Sequence, residues 1–283
     1  MTVSAVIGSV RPVTAVDLPG VQALLAADPV MHCFVASRVK AAGVDPWRLG
    51  GDLLGYFGDT GLVSLLYCGA NLVPVATTPA SRAAFADRLR PQPRRCSSFV
   101  GPADEVTDLW RLLEPAWGTA REVRACQPVM VLDADPVVPA DPAVRWSKAS
   151  DLDVLVPACV EMFTVEVGVS PVTGGVGAAY RARIAEIVDE GRSFVRIDDG
   201  VVVFKAEVGA VAQGVCQVQG VWVDPAFRGR GLSESGIAAV VRSARSRIAP
   251  VVSLYVNDYN TAARKAYLAV GFREVGAFAT VLF

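Results

Sequence analysis

The stretch Val221-Trp-Val-Asp-Pro-Ala-Phe-Arg-Gly-Arg-Gly-Leu-Ser-Glu-Ser-Gly-Ile237 decides how the chain is read. A run of strand-forming residues stops at Asp224-Pro225, arginines and glycines make a turn, and an apolar-periodic helix starts near Leu232. Glycine lets backbone N–H groups converge, and the free N–H groups of a helix's first turn carry partial positive charge. Such a turn cradles a pyrophosphate. Arg228 and Arg230 add formal charge at its rim, while the lysine followed by Ser or Thr of a nucleoside-triphosphate loop is missing.

Taken alone, Arg-Gly-Arg-Gly is equally a plain β-to-α turn with two exposed arginines. A second motif tips the balance. About thirty residues on, an expected strand from Val251 to Val256 runs into Asn257-Asp-Tyr-Asn-Thr-Ala-Ala-Arg-Lys-Ala-Tyr-Leu-Ala-Val-Gly-Phe272. Asn260 suits the cap of a helix carrying Ala263, Tyr267 and Val270 on nearby faces, and Gly271 suits its stop.

In this order the two motifs resemble the GNAT acetyltransferase superfamily, over about residues 143 to 283. The family's Arg-x-x-Gly-x-Gly/Ala, which binds the CoA pyrophosphate, is matched by Arg228-Gly229-Arg230-Gly231-Leu232-Ser233. Its second motif, Asn before a helix ending in Tyr-x-x-x-Gly-Phe, is matched by Asn260 and Tyr267 through Gly271-Phe272. The resemblance implies acetyl-CoA as cosubstrate, a primary amine of a small molecule, peptide or protein as acceptor, and direct attack on the thioester. It also implies that backbone groups of Val221 and Val223 pair with the pantetheine arm. Tyr267 would then protonate the departing thiolate, a role open to a phenol of ordinary pKa about 10. Ser233 departs from the family's glycine or alanine; it is small enough for close approach but brings a hydroxyl to the phosphates.

The general base is not assigned by the sequence. Glu161 and Glu166 flank a loop reaching Pro171, and Glu207 lies on an expected strand; each is equally a solvated or ion-paired carboxylate. Two rival functions stay open: a non-catalytic acyl-CoA-binding regulatory module, and an acyltransferase using a longer acyl group or aminoacylated RNA.

Outward from these motifs, 283 residues suit two units better than one. Asp133-Ala-Asp-Pro-Val-Val-Pro-Ala-Asp-Pro142 opposes helix and central strand and reads as a linker, giving domains at 1–132 and 143–283 with 133–142 between them. Both halves begin with Arg, five residues, then Asp-Leu: Arg11 to Asp17-Leu18 and Arg145 to Asp151-Leu152. Both close on a glycine soon followed by Arg-Glu-Val: Gly118 with Arg121-Glu122-Val123, and Gly271 with Arg273-Glu274-Val275. The pattern is a diverged tandem repeat.

The expected class is α/β with a sheet of mixed direction, as two tandem GNAT-like units. In the first half, helices are expected from about Ala15 to Ala27, after Pro79, and around Leu109, Trp110, Leu112 and Leu113. Its strands fall near Leu53–Phe57, Leu62–Cys68, Leu72–Ala76 and Ser97–Val100. The second half reads as helices over about 151–164, 178–190, 232–247 and 261–270. Its strands fall near 193–197, 201–208, 214–223, 251–256 and 275–283. The first half has neither the glycine turn near Val73 to Arg82 nor an Asn-to-Tyr helix before Gly118, so it reads as a degenerate copy that completes the fold and walls the acceptor cleft.

Composition bounds the rest. Hydrophobic residues make up 52% and charged residues 19%, which describes a well-packed globular protein. A formal charge of −1 offers nucleic acid and anionic membrane no global attraction. Prolines, glycines and charges break every valine-rich run short of a membrane span, and no basic-then-apolar leader opens the sequence, so a cytoplasmic location is the expectation. Six scattered cysteines without a C-x-x-C pair read as reduced core residues, and the lone His32, placed near a helix end, supports no multi-histidine metal site. Nothing in the sequence fixes an oligomeric state.

Overall fold

The computed structural model of the protein describes residues 8–283, so the expected first domain is seen from Gly8 onward. Residues up to Val129 form one compact unit together with Tyr255–Tyr259 and Glu274–Phe283. Met130–Leu254 and Asn260–Arg273 form the other. Among the described residues no helix is long and apolar enough to cross a membrane.

The first unit opens with β1 (Ser9–Pro12), a 3-10 turn at Ala15–Asp17, α1 (Leu18–Ala27), α2 (Cys33–Ala42) and the short α3 (Pro46–Leu49). Then come β2 (Gly51–Gly58), β3 (Gly61–Gly69), β4 (Asn71–Val75), α4 (Pro79–Leu89), β5 (Ser98–Pro102), α5 (Ala103–Trp117) and β6 (Glu122–Leu132). The later part of the chain repeats this order. It runs β7 (Arg145–Trp146), a 3-10 turn at Ala149–Asp151, α6 (Leu152–Val167), α7 (Gly177–Asp189), β8 (Ser193–Asp198), β9 (Val201–Ala212) and β10 (Val215–Val223). It closes with α8 (Leu232–Arg247), β11 (Val251–Tyr255), α9 (Thr261–Val270) and β12 (Arg273–Leu282). The mixed α/β class holds. Strand directions repeat too: β1 to β4 pair antiparallel in succession and β5 joins β4 parallel, just as β7 to β10 are antiparallel and β11 joins β10 parallel.

The repeat extends to atoms at each opening. Arg11 grips Asp17 in a two-pronged pair of 2.7 and 2.8 Å, and Asp17 also accepts the Thr14 N–H at 2.8 Å. Arg145 grips Asp151 at 2.7 and 3.0 Å, and Asp151 accepts the Lys148 N–H at 2.7 Å. Each aspartate thus satisfies an orphan N–H of the helical turn it closes, while the arginine ties that turn to the preceding strand.

The final strand departs from the linear order of the two halves. β12 pairs antiparallel with β5, from Phe278↔Pro102 to Leu282↔Ser98, and so completes the first unit. Its Ala279 and Val281 join Leu54, Phe85, Phe99, Leu109 and Leu113 in that unit's core, and the Phe283 ring meets Phe99 and Trp110 edge-on at 5.6 and 5.2 Å. The strand contributes both a ladder and buried apolar surface, the dominant stabilising term in a core.

The 133–142 segment lies along the second unit rather than hanging free. Val137 N–H donates to the Val270 carbonyl and Asp141 N–H to that of Ser235, while Arg245, Arg273 and Arg196 pair with Asp135, Asp133 and Asp141.

Some expectations need correction. The helix expected from Ala15 is a 3-10 turn until Leu18, and α2 has no counterpart among the expected helices. Its N-cap is His32, whose side chain makes no capping bond, so the usual sequence signal for a helix start is missing. Cys33, Cys96, Cys159 and Cys216 are buried, but Cys68 is half-buried and Cys126 exposed, because the outer part of β6 alternates toward solvent.

Candidate active site

The glycine-rich turn is built as its sequence demands. β10 ends at Val223, and Asp224 caps a 3-10 turn over Pro225–Phe227 by accepting the Ala226 N–H at 2.8 Å. Arg228 Nε donates to the Val223 carbonyl at 3.1 Å, and an Arg230 terminal nitrogen donates to the Ala226 carbonyl at 3.2 Å with its guanidinium 5.0 Å from the Phe227 ring. Both arginines therefore stand at the turn. Gly231 caps α8 at φ +75°, a left-handed conformation open to glycine, and no side chain caps the helix. Nothing lies within 4 Å of the place a Cβ would take at Gly229 or Gly231. The first-turn N–H groups, those of Leu232 and Ser233 among them, thus end a sixteen-residue helix without a capping side chain.

Beside this turn β10 parts from β11. Their parallel register runs from Val215↔Val251 to Gln217↔Ser253 and, among the described residues, ends there, leaving Val218–Val223 of β10 beyond it. On its other side β10 follows β9 with a bulge between Gln219 and Trp222, where Gly220 takes φ +59°. Val221 sits in that bulge, outside the paired register, and Val223 faces Phe204. A bulge re-aims backbone groups that would otherwise be spent in the ladder.

Asn260 Oδ1 accepts the Ala263 N–H at 3.2 Å and caps α9 as the sequence predicted. Tyr267, on the same helix, is only 6% exposed, and its ring packs against Phe272 at 5.9 Å. Burial pushes its phenol well above the ordinary tyrosine range, and the Glu166 charge adds to that. This phenol therefore holds its proton more tightly than the tyrosine of ordinary pKa on which the expectation rested.

The carboxylates separate clearly. Glu161 and Glu166 are exposed on α6. Glu207 is buried on β9, where Lys205 Nζ donates to its Oε1 at 2.7 Å and the Cys159 thiol donates to the same oxygen at 3.7 Å. Lys205 is fully buried; desolvation pulls its ammonium down, but the Glu207 carboxylate, with Cys159 beside it, outweighs that and holds it above its usual value. Burial first, then Cys159 and Glu207, push the Tyr180 phenol up to about 12, and burial with Glu207 pushes the Cys159 thiol up to about 11, in both cases against Lys205. Trp222 is paired with Lys205 across the strands, and its indole Nε1 is buried without a hydrogen-bond partner among the described residues. A Cβ on Gly220 would come within 3.0 Å of Lys205 Nζ, so the bulge lies directly on this buried ion pair. Of these groups the sequence reading named only Glu207. The available signal was Lys205 and Glu207 two apart in an apolar strand, which puts both on one face.

Two repeats of this strand order and a bulged strand feeding an uncapped helix define a GNAT-type acyltransferase fold. Residues 172–272 match the model of the Acetyltransferase (GNAT) family, and the chain carries a domain of that family in its second half. Residues 51–155 match a family described as a domain of unknown function, DUF4081. A search of curated protein sequences finds no match. Among solved structures, a Drosophila protein superposes with a TM-score of 0.66 at 16% identity, covering 99% of both chains. A GNAT-family acetyltransferase from Colwellia psychrerythraea gives 0.58 at 12% identity, covering 97% of this chain and 99% of its own. A GCN5-related N-acetyltransferase from Sphaerobacter thermophilus gives 0.56 at 18%, covering 97% and 94%. At these identities the likeness is one of fold, and it spans both halves.

Proposed function

We propose that the chain transfers the acetyl group of acetyl-CoA to a primary amine by direct attack, with the cosubstrate held by the second unit. The observation that carries this reading is the uncapped, glycine-started N-terminus of α8 beside the free end of β10. There the backbone of Gly229, Gly231, Leu232 and Ser233, flanked by Arg228 and Arg230, meets the pyrophosphate, whose charge suits both the helix dipole and the guanidinium groups. Val221 and Val223 present backbone groups to the pantetheine arm, and an N–H of the parted strand polarises the thioester carbonyl. Asn260 fixes the start of α9, and α9 carries Tyr267 as the acid for the leaving sulfur.

A thiolate leaving within the same apolar surroundings has its own proton affinity raised by desolvation, which restores the match to the buried phenol. Tyr267 is also the residue that favours an enzyme over an acyl-CoA-binding module, since binding alone needs no proton donor. The domain limits in this reading are 1–132, the linker 133–142 and 143–283. The test is turnover of acetyl-CoA against a mixed set of primary amines with mass detection of products. An acetylated amine that requires Tyr267 supports the reading; tight acetyl-CoA binding with no product from any amine supports the regulatory module instead.

A further inference from the structure

The first unit holds a cavity of about 160 Å³ that belongs to none of this chemistry. Its floor is apolar: Leu54 of β2, Leu72 of β4 and Leu89 of α4 are core residues, and the thiols of Cys68 and Cys96 line it beside them. Burial, the main influence on both, pushes both thiols up, the one at Cys96 to about 11, so they present neutral, weakly polar surface. The mouth is charged. Arg88 and Arg95 stand exposed on it, and among the described residues neither guanidinium makes an ion pair. Their neighbour Arg94 shows the contrast, since it donates to the Cys96 carbonyl at 2.6 Å and lies over the Phe283 ring. Among the described residues Asp52 is the one carboxylate on the lining, leaving a net charge of +1 from the two arginines and one aspartate.

Native cores are close-packed, and a void of this size forfeits packing all round its wall. A cavity of about 150 Å³ is large enough to take up a benzene-sized molecule. An apolar floor of that capacity, open to solvent past two uncommitted guanidinium groups, fits one ligand chemistry. We propose that it binds a small monocarboxylate with a single aromatic or branched aliphatic body, the body on the leucine floor and the carboxylate on Arg88 and Arg95. Asp52 disfavours a second negative charge, which separates this ligand from the doubly charged pyrophosphate ester assigned to α8. The cavity would bind such a ligand whether or not the second unit transfers an acyl group.

The test is titration of the full chain by calorimetry with sodium phenylacetate, and with phenethylamine as the same ring bearing the opposite charge. Phenylacetate is expected to bind with a Kd of about 1 mM or tighter, within reach of about ten heavy atoms, and at least about tenfold tighter than the amine. Arg88→Glu with Arg95→Glu, both at the exposed rim, should weaken phenylacetate by at least about tenfold while the melting temperature stays within about 2 °C of wild type. Absence of phenylacetate binding at about 10-fold above that Kd, equal binding of phenethylamine, or binding untouched by the double reversal would each overturn the proposal. Adding Leu72→Phe, which fills the floor and leaves the rim charges alone, keeps the test decisive: it should abolish phenylacetate binding, and retained binding would place the ligand elsewhere.

Discussion

The helices α4 and α8 occupy the same place in their respective copies, each following the fourth strand of an antiparallel run, and they begin in opposite ways. α4 starts from Thr78, whose hydroxyl accepts the Ser81 N–H at 3.1 Å while the Ser81 hydroxyl answers the Thr78 N–H at 2.8 Å. One residue earlier Glu105 takes both the N–H and the hydroxyl of Thr77, at 2.8 and 2.6 Å. The backbone at the start of α4 is thus met by the chain's own side chains. α8 starts from Gly231 with no capping side chain, so its dipole and N–H groups stay available. A similar contrast holds at the next helix: Tyr267 stands four residues before Gly271, buried, whereas Glu114 stands four before Gly118, exposed. The two copies thus differ in whether the backbone at this helix start is satisfied by the chain's own side chains.

The contrast between α4 and α8 is open to direct attack, and the largest effect is expected at the glycine turn. Arg228→Glu with Arg230→Glu places two negative charges where two positive ones stood and should raise the Kd for acetyl-CoA by at least about 100-fold with circular dichroism unchanged. Calorimetry decides it, and wild-type affinity in the double variant would mean that α8 is as idle as α4. Native mass spectrometry should count one acetyl-CoA per chain; two specifically bound molecules would show that the Thr78 cap can be displaced.

Next in size, Tyr267→Phe should keep cofactor affinity and lower turnover by roughly 10- to 10,000-fold, the range for loss of a general acid. Because burial raises the phenol's pKa, the wild-type rate should show no loss from tyrosine ionisation up to about pH 10, the ordinary tyrosine value. A Tyr267-dependent alkaline limb near about pH 8 would contradict that environment.

The smallest effect tests what the copies share. Asp151 has its pKa depressed, chiefly by the hydrogen bond from Arg145. A depressed carboxylate stabilises the fold fully above its unfolded pKa, and the contribution fades as pH falls through the folded value. Asp151→Asn should therefore lower the urea midpoint at about pH 7, modestly because Arg145 is part exposed, and the gap to wild type should narrow below about pH 4. A gap that is unchanged at about pH 2.5, well under the ordinary aspartate value of about 3.9, would remove the ion pair as its cause.

Features carried by residues close in sequence were legible. Arg145 and Asp151 are six apart, the glycine turn is contiguous, and the Asn260 cap acts three residues ahead, so the sequence displays each as a local pattern. The buried group around Lys205 was not, because Cys159 and Tyr180 come from α6 and α7 and reach Glu207 only through packing. The partner of β12 was equally hidden: an alternating strand states which of its faces is buried but not which neighbour it joins. Ala279 pairs with Gly101, and no local feature of either segment points to the other.

The pairing of β12 with β5 also sets an order for the molecule's assembly during synthesis. When residue 132 leaves the ribosome, the first unit still lacks a strand and the side chains of Ala279 and Val281 from its core. At the usual rate of about 5 to 20 residues per second, roughly 7 to 30 s separate residue 132 from residue 278. During that interval β5 presents an unpaired edge beside an incomplete apolar cluster, the kind of surface that chaperones recognise and that pairs with neighbouring chains. The second unit, including α8 and α9, is made before that gap closes, so the nascent chain already carries the glycine-rich turn and the uncapped start of α8 while its first unit is still waiting for its last strand.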